Sequence, residues 1–544
     1  HKLIWVARRE YFLWTDKIND RIVKAAKKVE YFYEGPKNRF LSFLSEGKPW
    51  CISRERVWGT PLPIWVCEDC GAKTLVASRE EMFSKAIEIP EGYFELHKPW
   101  IDRVILRCDK CGGKMHREPF VLDCWHNSGV APYARFTDEE FEKFIPADFL
   151  VEAIDQTRGW ANSLLLTHVI LTGRPESPYK AFLFYGFVLD AKGRKMSKSL
   201  GNVIDPLEII EEYGTDAFRC YAASCSLGED NPFRRKDVIR GVRLLKKIWN
   251  VEKFISQFLP EKIPEKPDNL RLMDRWILTR YSKLVRRCTE LMDNFDFSQA
   301  MKETEYFLWH ELADHYIEMV KSFLYEGKYT ESIVYTLYNI GLGIVKLFAP
   351  FFPHITEEIY HRYYKDKDGK ESVHVSDWPE EILLDEDAEK EGEFVKNVIA
   401  AVRRWKGEKG MALNAPLKKM MVFSRRMETL AKCEEDIRYT LNIKEIEFSS
   451  DMSGIDEKAI SIKPVHASLG KKYRERTKDV CKILEKQEPD ELYRKLRENA
   501  EIKIGDFTIT RDDVKFIVSY SVAGEEVDVL NVEDTVIAIP VHHE

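Results

Sequence analysis

Long apolar runs are missing from this chain of 544 residues. None approaches the roughly 20 residues that a membrane helix needs, so no membrane partner is expected. The first residues show no secretory apolar core either. Internal repeats and low-complexity tracts are absent, which excludes a solenoid or a fibrous array. A uniform basic coat is lacking too: 84 Lys and Arg stand against 91 Asp and Glu, for a formal net charge of -7. That balance argues against a nucleic-acid coat protein but leaves room for local basic faces. No Ser/His/Asp set falls at a convincing spacing, so catalysis through an activated nucleophile is not expected. A disulfide framework is equally unsupported. The 11 cysteines are an odd count, and four of them sit in CxxC pairs, which suits a reducing cytoplasm.

What is present is ordinary in bulk and specific in order. With 44% hydrophobic and 32% charged residues, the chain has globular composition and length for three or four domains. A short apolar run, Leu3-Ile-Trp-Val6, precedes helical spacing around Ile18, Ile22, Val23 and Ala26. Between about Phe120 and Asn202, apolar strands (Phe149–Val151, Phe182–Tyr185) flank a helical stretch around 158–172. That βαβ rhythm predicts a parallel sheet. Residues 203–265 are expected to be helical, and 271–365 strongly so, with Ile333, Val334, Leu337, Ile340, Ile344, Leu347 and Phe348 at helical spacing. A charged stretch at 380–395 is expected to separate this bundle from a helix ending near Gly410. Short strands and a charged helical segment at 470–500 then predict a small α/β tail domain.

Cys67-Glu-Asp-Cys70-Gly and Cys108-Asp-Lys-Cys111-Gly-Gly are matching knuckles. Each offers two thiolates at a turn, with glycine after them. Four converging sulfurs suit a closed, structural Zn²⁺ site. Cys51, Cys124, Cys220, Cys225, Cys288, Cys433 and Cys481 are scattered and are expected in cores.

Lys195-Met-Ser197-Lys198-Ser199 puts two lysines and two hydroxyls on a glycine-flanked loop. Lysine is a mobile point charge for phosphate, and such a loop can close over a triphosphate during an in-line displacement. Charge alone would also allow a solvated basic turn. The string KMSKS occurs in order with WCISRERVWGTPLPIW, the two CxxC pairs, DCWHNSG at 123–129 and DQTRGW at 155–160. Together these resemble the isoleucyl and valyl branch, of archaeal type, of the class I aminoacyl-tRNA synthetases.

The resemblance implies a fold and a layout. The fold is α/β, the second half of a Rossmann-like catalytic domain with a zinc-ribbon insertion. An all-α anticodon-binding bundle and a small α/β C-terminal domain follow it. Residues 1–45 would be a remnant after an editing insertion, and 46–120 the start of the second Rossmann half with its zinc-binding subdomain. Residues 121–202 would complete that half with the KMSKS loop. Stem-contacting helices would span 203–268, the anticodon bundle 269–410 and the C-terminal domain 411–544. No H-x-G-H occurs, so the chain is expected to be a C-terminal portion, inactive without an N-terminal half that brings the HIGH-type ATP motif.

The same resemblance assigns roles. Lys195 and Lys198 would act catalytically on the phosphates of ATP, with Ser197 beside them and Mg²⁺ accompanying the nucleotide. Glu152, Asp155 and Gln156 would contact the adenylate from the end of a strand, where ligands of open α/β sheets bind. Helix N-capping is the structural alternative for Glu152 and Asp155. Trp125 and Trp160 would wall the pocket for a branched aliphatic amino acid, core packing being their alternative. DQTRGW resembles the isoleucine enzymes, while NVIDPLEII, WHELADHYIEMVKSFLY and GMALNAPLKK resemble the valine enzymes. Isoleucine is placed first, valine second, and a non-catalytic tRNA-binding paralogue third. For tRNA, Lys236, Arg240, Arg243 and Lys247 recur at helical spacing as a basic ridge. Val238, Val242, Leu245 and Trp249 would be the packing stripe behind it.

Overall fold

The computed structural model describes residues 6–541, so Leu3–Trp5 of the first apolar run lie outside it. The chain divides into two compact units. One comprises His1–Leu207, Cys225–Asp237 and Asn294–Asp296; the other comprises Glu208–Ser224, Val238–Asp293 and Phe297–Glu544. No helix among the described residues is long and apolar enough to cross a membrane.

In the first unit, helices α1 (Asn19–Lys27) and α2 (Glu34–Ser45) come first. Strands β1 (Ile64–Cys67), β2 (Lys73–Leu75), β3 (Ala86–Glu88), β4 (Ile105–Arg107) and β5 (Lys114–Arg117) then form an antiparallel sheet in the order β2-β1-β5-β4-β3. Trp65, Met82, Val104, Leu106 and Met115 fill its small core. Helix α3 (Cys124–Gly129) follows, and then the predicted βαβ unit: β6 (Ala147–Ala153), α4 (Trp160–Thr172) and β7 (Tyr179–Tyr185). The strands are parallel, with Ala147 opposite Tyr179 and Ala153 opposite Tyr185. Helix α4 is apolar around much of its girth, as a helix packed on a parallel sheet must be. It buries Ala161, Leu164, Leu165, Leu166 and Val169, and ends at Gly173 in the left-handed region. Its contacts join Ile22, Ala26, Phe40, Phe182 and Phe184 in one core.

The second unit is a helical bundle continued into a sheet. Most of helix α5 (Arg235–Ser256), with α6 (Leu272–Asp293), α7 (Thr330–Phe348) and α8 (Glu386–Glu408), packs around a core that includes Trp276, Ile340 and Phe348, joined by Leu308 from the helical segment Phe307–Ile317 and Phe323 from Glu318–Glu326. The charged stretch at 380–395 is not a separator. Asp385 caps α8 by accepting the Ala388 N–H at 2.9 Å, and Phe394, Val395, Val398, Ile399 and Val402 are buried. Acidic residues in a first turn favour the helix dipole, so charge there opens the helix instead of ending the domain. A six-stranded sheet follows: β8 (Leu417–Phe423), β9 (Ile443–Ser449), β10 (Ile455–Pro464), β11 (Val514–Val522), β12 (Glu525–Val532) and β13 (Thr535–Pro540), in the order β9-β8-β13-β12-β11-β10, with helices including Pro489–Glu498 and a hairpin of Glu501–Ile504 with Phe507–Thr510 between β10 and β11.

Candidate functional site

The carboxyl ends of β6 and β7 carry the acidic predictions. Glu152 lies opposite Phe184 in the parallel register and is half-buried. The chain then enters a 3-10 turn, Ile154–Arg158, where Asp155 is exposed. Neither acid caps α4, so the capping alternative fails for both. Gly159 occupies the cap position without a side chain. Gln156 does the work, its Oε1 accepting the Trp160 N–H at 3.0 Å. An amide one turn back reaches that N–H while Glu152 is still in strand geometry.

The two tryptophans occupy different places. The Trp160 indole N–H donates to the Ser128 carbonyl at 3.2 Å, tying α4 to α3. Trp125 is 37% exposed. A cleft of about 290 Å³ beside Gly159 is lined by Trp125, Trp50, Phe43, Arg158, Asn162 and Leu166 among others, and Trp160 is not in its wall. Gly159 is needed here: a Cβ on it would lie 2.4 Å from Gln156 Oε1 and 3.2 Å from the Trp125 ring. Sequence reasoning missed Trp50, whose indole N–H donates to Asp123 at 2.9 Å. It also missed Arg158, stacked over Phe43 at 5.3 Å. Both lie inside quoted motifs, Trp50 opening WCISRERVWGTPLPIW and Arg158 within DQTRGW, but motif order alone gave neither side chain a role.

The KMSKS loop follows β7. The chain leaves the sheet at Tyr185, opposite Ala153, and its next strand residues, Val188 and Leu189, pair with Asn231 and Pro232. A Cβ on Gly186 would meet the Glu229 carbonyl at 1.9 Å, so only glycine permits this approach. Leu189 bridges to Lys195, and Asp190–Arg194 forms the tip of that turn. The Lys195 ammonium rests 4.6 Å from the centre of the Phe187 ring. Lys198 opens a 3-10 turn capped by Ser197, whose Oγ accepts the Leu200 N–H at 3.3 Å. Both lysines are exposed.

The four knuckle cysteines converge. Their sulfurs all lie within 4.8 Å of one another, with Cys67 to Cys111 at 3.4 Å and Cys70 to Cys108 at 3.7 Å. A tetrahedral ion with metal–sulfur bonds of ~2.3 Å requires sulfurs about 3.8 Å apart, so the donor set fits a metal. Gly71 and Gly112 take left-handed φ of +67° and +76° in the knuckle turns, and a Cβ on Gly113 would strike Asp69 at 2.1 Å. The Cys111 backbone N–H is the main cause holding the Cys108 thiol down at about 7. Among the scattered cysteines, Cys220, Cys288, Cys433 and Cys481 are buried as expected. Cys51 and Cys225 are only half-buried, and Cys124 is exposed.

Residues 2–234 match the family described as tRNA synthetases class I (I, L, M and V), and residues 274–421 match the anticodon-binding domain of tRNA ligase. The chain belongs to the class I aminoacyl-tRNA synthetases. It is 34% identical to the valine–tRNA ligase of Pyrococcus furiosus, over 97% of this chain and 60% of that protein. The isoleucine–tRNA ligase of Methanopyrus kandleri is 33% identical, over 94% of this chain and 50% of its own length. The valine–tRNA ligase of Methanothermobacter thermautotrophicus is 34% identical, over 98% and 60%. The chain therefore spans between half and three fifths of these relatives.

In this synthetase chain the basic ridge of α5 differs from its sequence pattern. The buried stripe is Val238, Gly241, Leu244, Ile248, Val251 and Ile255, whereas Val242, Leu245 and Trp249 are only half-buried. Gly241 sets the rotation, because a Cβ there would meet the Ala217 carbonyl at 2.8 Å. On the outward side Lys236 and Arg243 are exposed. Arg240 is ion-paired to Glu305, and Lys247 lies 4.4 Å over the Trp309 ring and 3.9 Å from Asp314. Two of the four cations thus have internal partners.

Proposed function

We propose that this chain carries out its part of ATP-dependent aminoacylation of tRNA with a branched aliphatic amino acid, isoleucine first and valine as the alternative. The observation carrying the reading is the parallel register of β6 and β7. It sets the strand-end acid Glu152 beside the strand that leads directly into the two-lysine loop. In the reaction a carboxylate oxygen of the amino acid attacks the α-phosphorus of ATP. A new P–O bond forms, the bond to the bridging oxygen breaks, and pyrophosphate leaves. A ribose hydroxyl of tRNA then attacks the aminoacyl carbonyl of the adenylate; an ester bond forms, the acyl–phosphate bond breaks, and AMP and the hydroxyl proton leave. Such a displacement needs positioning and charge neutralisation more than a protein nucleophile.

In this assignment Lys195 and Lys198, with Ser197, hold the phosphates, and Mg²⁺ supplies further charge neutralisation when bound with ATP. Glu152, Asp155 and Gln156 face the adenylate. Trp125 and Trp160 shape the side-chain pocket, Trp125 as a wall and Trp160 through its tie to α3. Cys67, Cys70, Cys108 and Cys111 hold a structural Zn²⁺, consistent with a reducing cytoplasm. Lys236, Arg240, Arg243 and Lys247 face the tRNA backbone. The HIGH-type half of the ATP site comes from an N-terminal portion. Isoleucine and valine differ by one methylene, worth only ~1–3 kcal/mol in an apolar pocket. Both amino acids are therefore assayed.

The test is ATP–pyrophosphate exchange by the chain alone and with an added N-terminal half of a related isoleucyl or valyl enzyme. Exchange with isoleucine above valine, lost on Lys198→Ala, supports the reading. Exchange with neither amino acid, alongside intact tRNA binding, would favour the non-catalytic paralogue.

A further inference from the structure

We propose that Asp190 and Asn202 form a clasp that braces residues 190–202 as one piece, so that Lys195 and Lys198 reach a triphosphate already fixed relative to each other. The inference rests on the ligase reading above for its consequence, but not for its geometry.

Asp190 is 6% exposed, unusual for a carboxylate in a surface loop. Its Oδ1 accepts the backbone N–H groups of Lys192 at 2.9 Å and Arg194 at 2.8 Å. Its Oδ2 accepts Arg194 Nε–H at 2.9 Å and Asn202 Nδ2–H at 3.0 Å. The Asn202 and Arg194 donors hold this carboxyl well below the usual carboxylate range, so it stays ionised and acts only as an acceptor. That fixes the orientation of the Asn202 amide. Its NH₂ must face Asp190, and it also donates to the Lys195 carbonyl at 3.2 Å. Its Oδ1 is left to accept the Ser197 N–H at 2.9 Å. One amide thus joins the entry of the loop, its exit, and both residues flanking Met196.

The brace uses the backbone of the lysine segment and spares its side chains. Lys195 rests its ammonium on Phe187 and Lys198 points to solvent, so both charges stay available to a ligand. Ordering a glycine-flanked loop at the moment of binding would cost conformational entropy. A loop ordered beforehand has already met that cost in folding and spends more of its charge on the ligand. Asn202 is accordingly a positioning residue for the two lysines.

Hydrogen–deuterium exchange on the full chain tests the clasp without requiring activity. Asn202→Ala is expected to speed amide exchange across residues 190–202 by about tenfold, the effect of losing one or two hydrogen bonds. Peptides covering 147–153 should keep the wild-type rate. Asn202→Asp is expected to exceed Asn202→Ala, because two carboxylates would then face each other. The double variant Asp190→Asn with Asn202→Asp should recover part of the protection, since it restores one amide–carboxylate pair. In pyrophosphate exchange with the N-terminal half added, Asn202→Ala should lower kcat and raise the ATP KM while leaving the amino-acid KM unchanged. Wild-type exchange rates in the Asn202→Ala loop, or an amino-acid KM that rises as much as the ATP KM, would overturn the proposal. Loss of loop protection, together with no pyrophosphate exchange by the wild-type chain even with the N-terminal half added, would leave the clasp standing and overturn the ligase reading.

Discussion

Gln156 caps the helix that Trp160 begins, its Oε1 accepting the Trp160 N–H at 3.0 Å. One side chain proposed to face the adenylate therefore also fixes the start of α4. Gly159 stands between them, with no room for a Cβ beside Gln156 and Trp125.

Gln156→Ala should cost about 1 kcal/mol of stability, the usual worth of a helix cap, measured by urea unfolding. Gly159→Ala should push on Gln156 and Trp125 together. It is expected to raise the amino-acid KM more than the ATP KM in pyrophosphate exchange.

The converging sulfurs lead to a metal prediction. The purified chain should contain about one zinc, as a four-thiolate site takes one ion. Cys70→Ser should abolish that content and loosen the β1–β5 sheet, seen as faster proteolysis between residues 64 and 117. Cys51→Ser, outside the cluster, should leave both unchanged.

A buried acid gives stability a pH dependence. Glu252 is fully buried in the bundle, accepts the Tyr364 hydroxyl at 2.6 Å, and leaves Oε1 without a hydrogen-bond partner. Burial pushes its carboxyl up from 4.5 to about 7. The folded chain therefore holds this proton more tightly than the unfolded chain between these values. The contribution is fully present below about 4.5 and is lost as pH rises through 7, on the order of 3 kcal/mol in total. Glu252→Gln should flatten that part of the slope and stabilise the chain at pH 8. Urea midpoints at pH 5 and pH 8 measure it.

On the basic ridge the cations should be unequal. Arg243→Ala is expected to weaken tRNA binding and reduce the salt slope by about 1. Arg240→Ala should have a smaller effect on affinity, because Glu305 already neutralises Arg240. Filter binding at 50 to 200 mM salt distinguishes the two.

Much of the architecture was legible in the sequence because it is written in local periods. Phe149–Val151 and Phe182–Tyr185 fall inside β6 and β7, with α4 between them. The paired cysteines carried their own spacing. Other features were not legible, since they depend on partners distant along the chain. Trp50 meets Asp123 across the fold, and Glu305 takes Arg240 out of the free ridge. The rotation of α5 was misread by one position because Gly241, apolar by default, is the residue that approaches Thr215–Ser224.

By itself the sequence determined which chemistry-bearing residues exist, their order, and the elements that carry them. Those follow from side-chain period, turn residues and motif spacing, all local properties. Tertiary structure decided which charges are available and which are already satisfied. A hydrogen bond or ion pair between residues far apart in the chain exists only once packing brings both partners within about 3 Å.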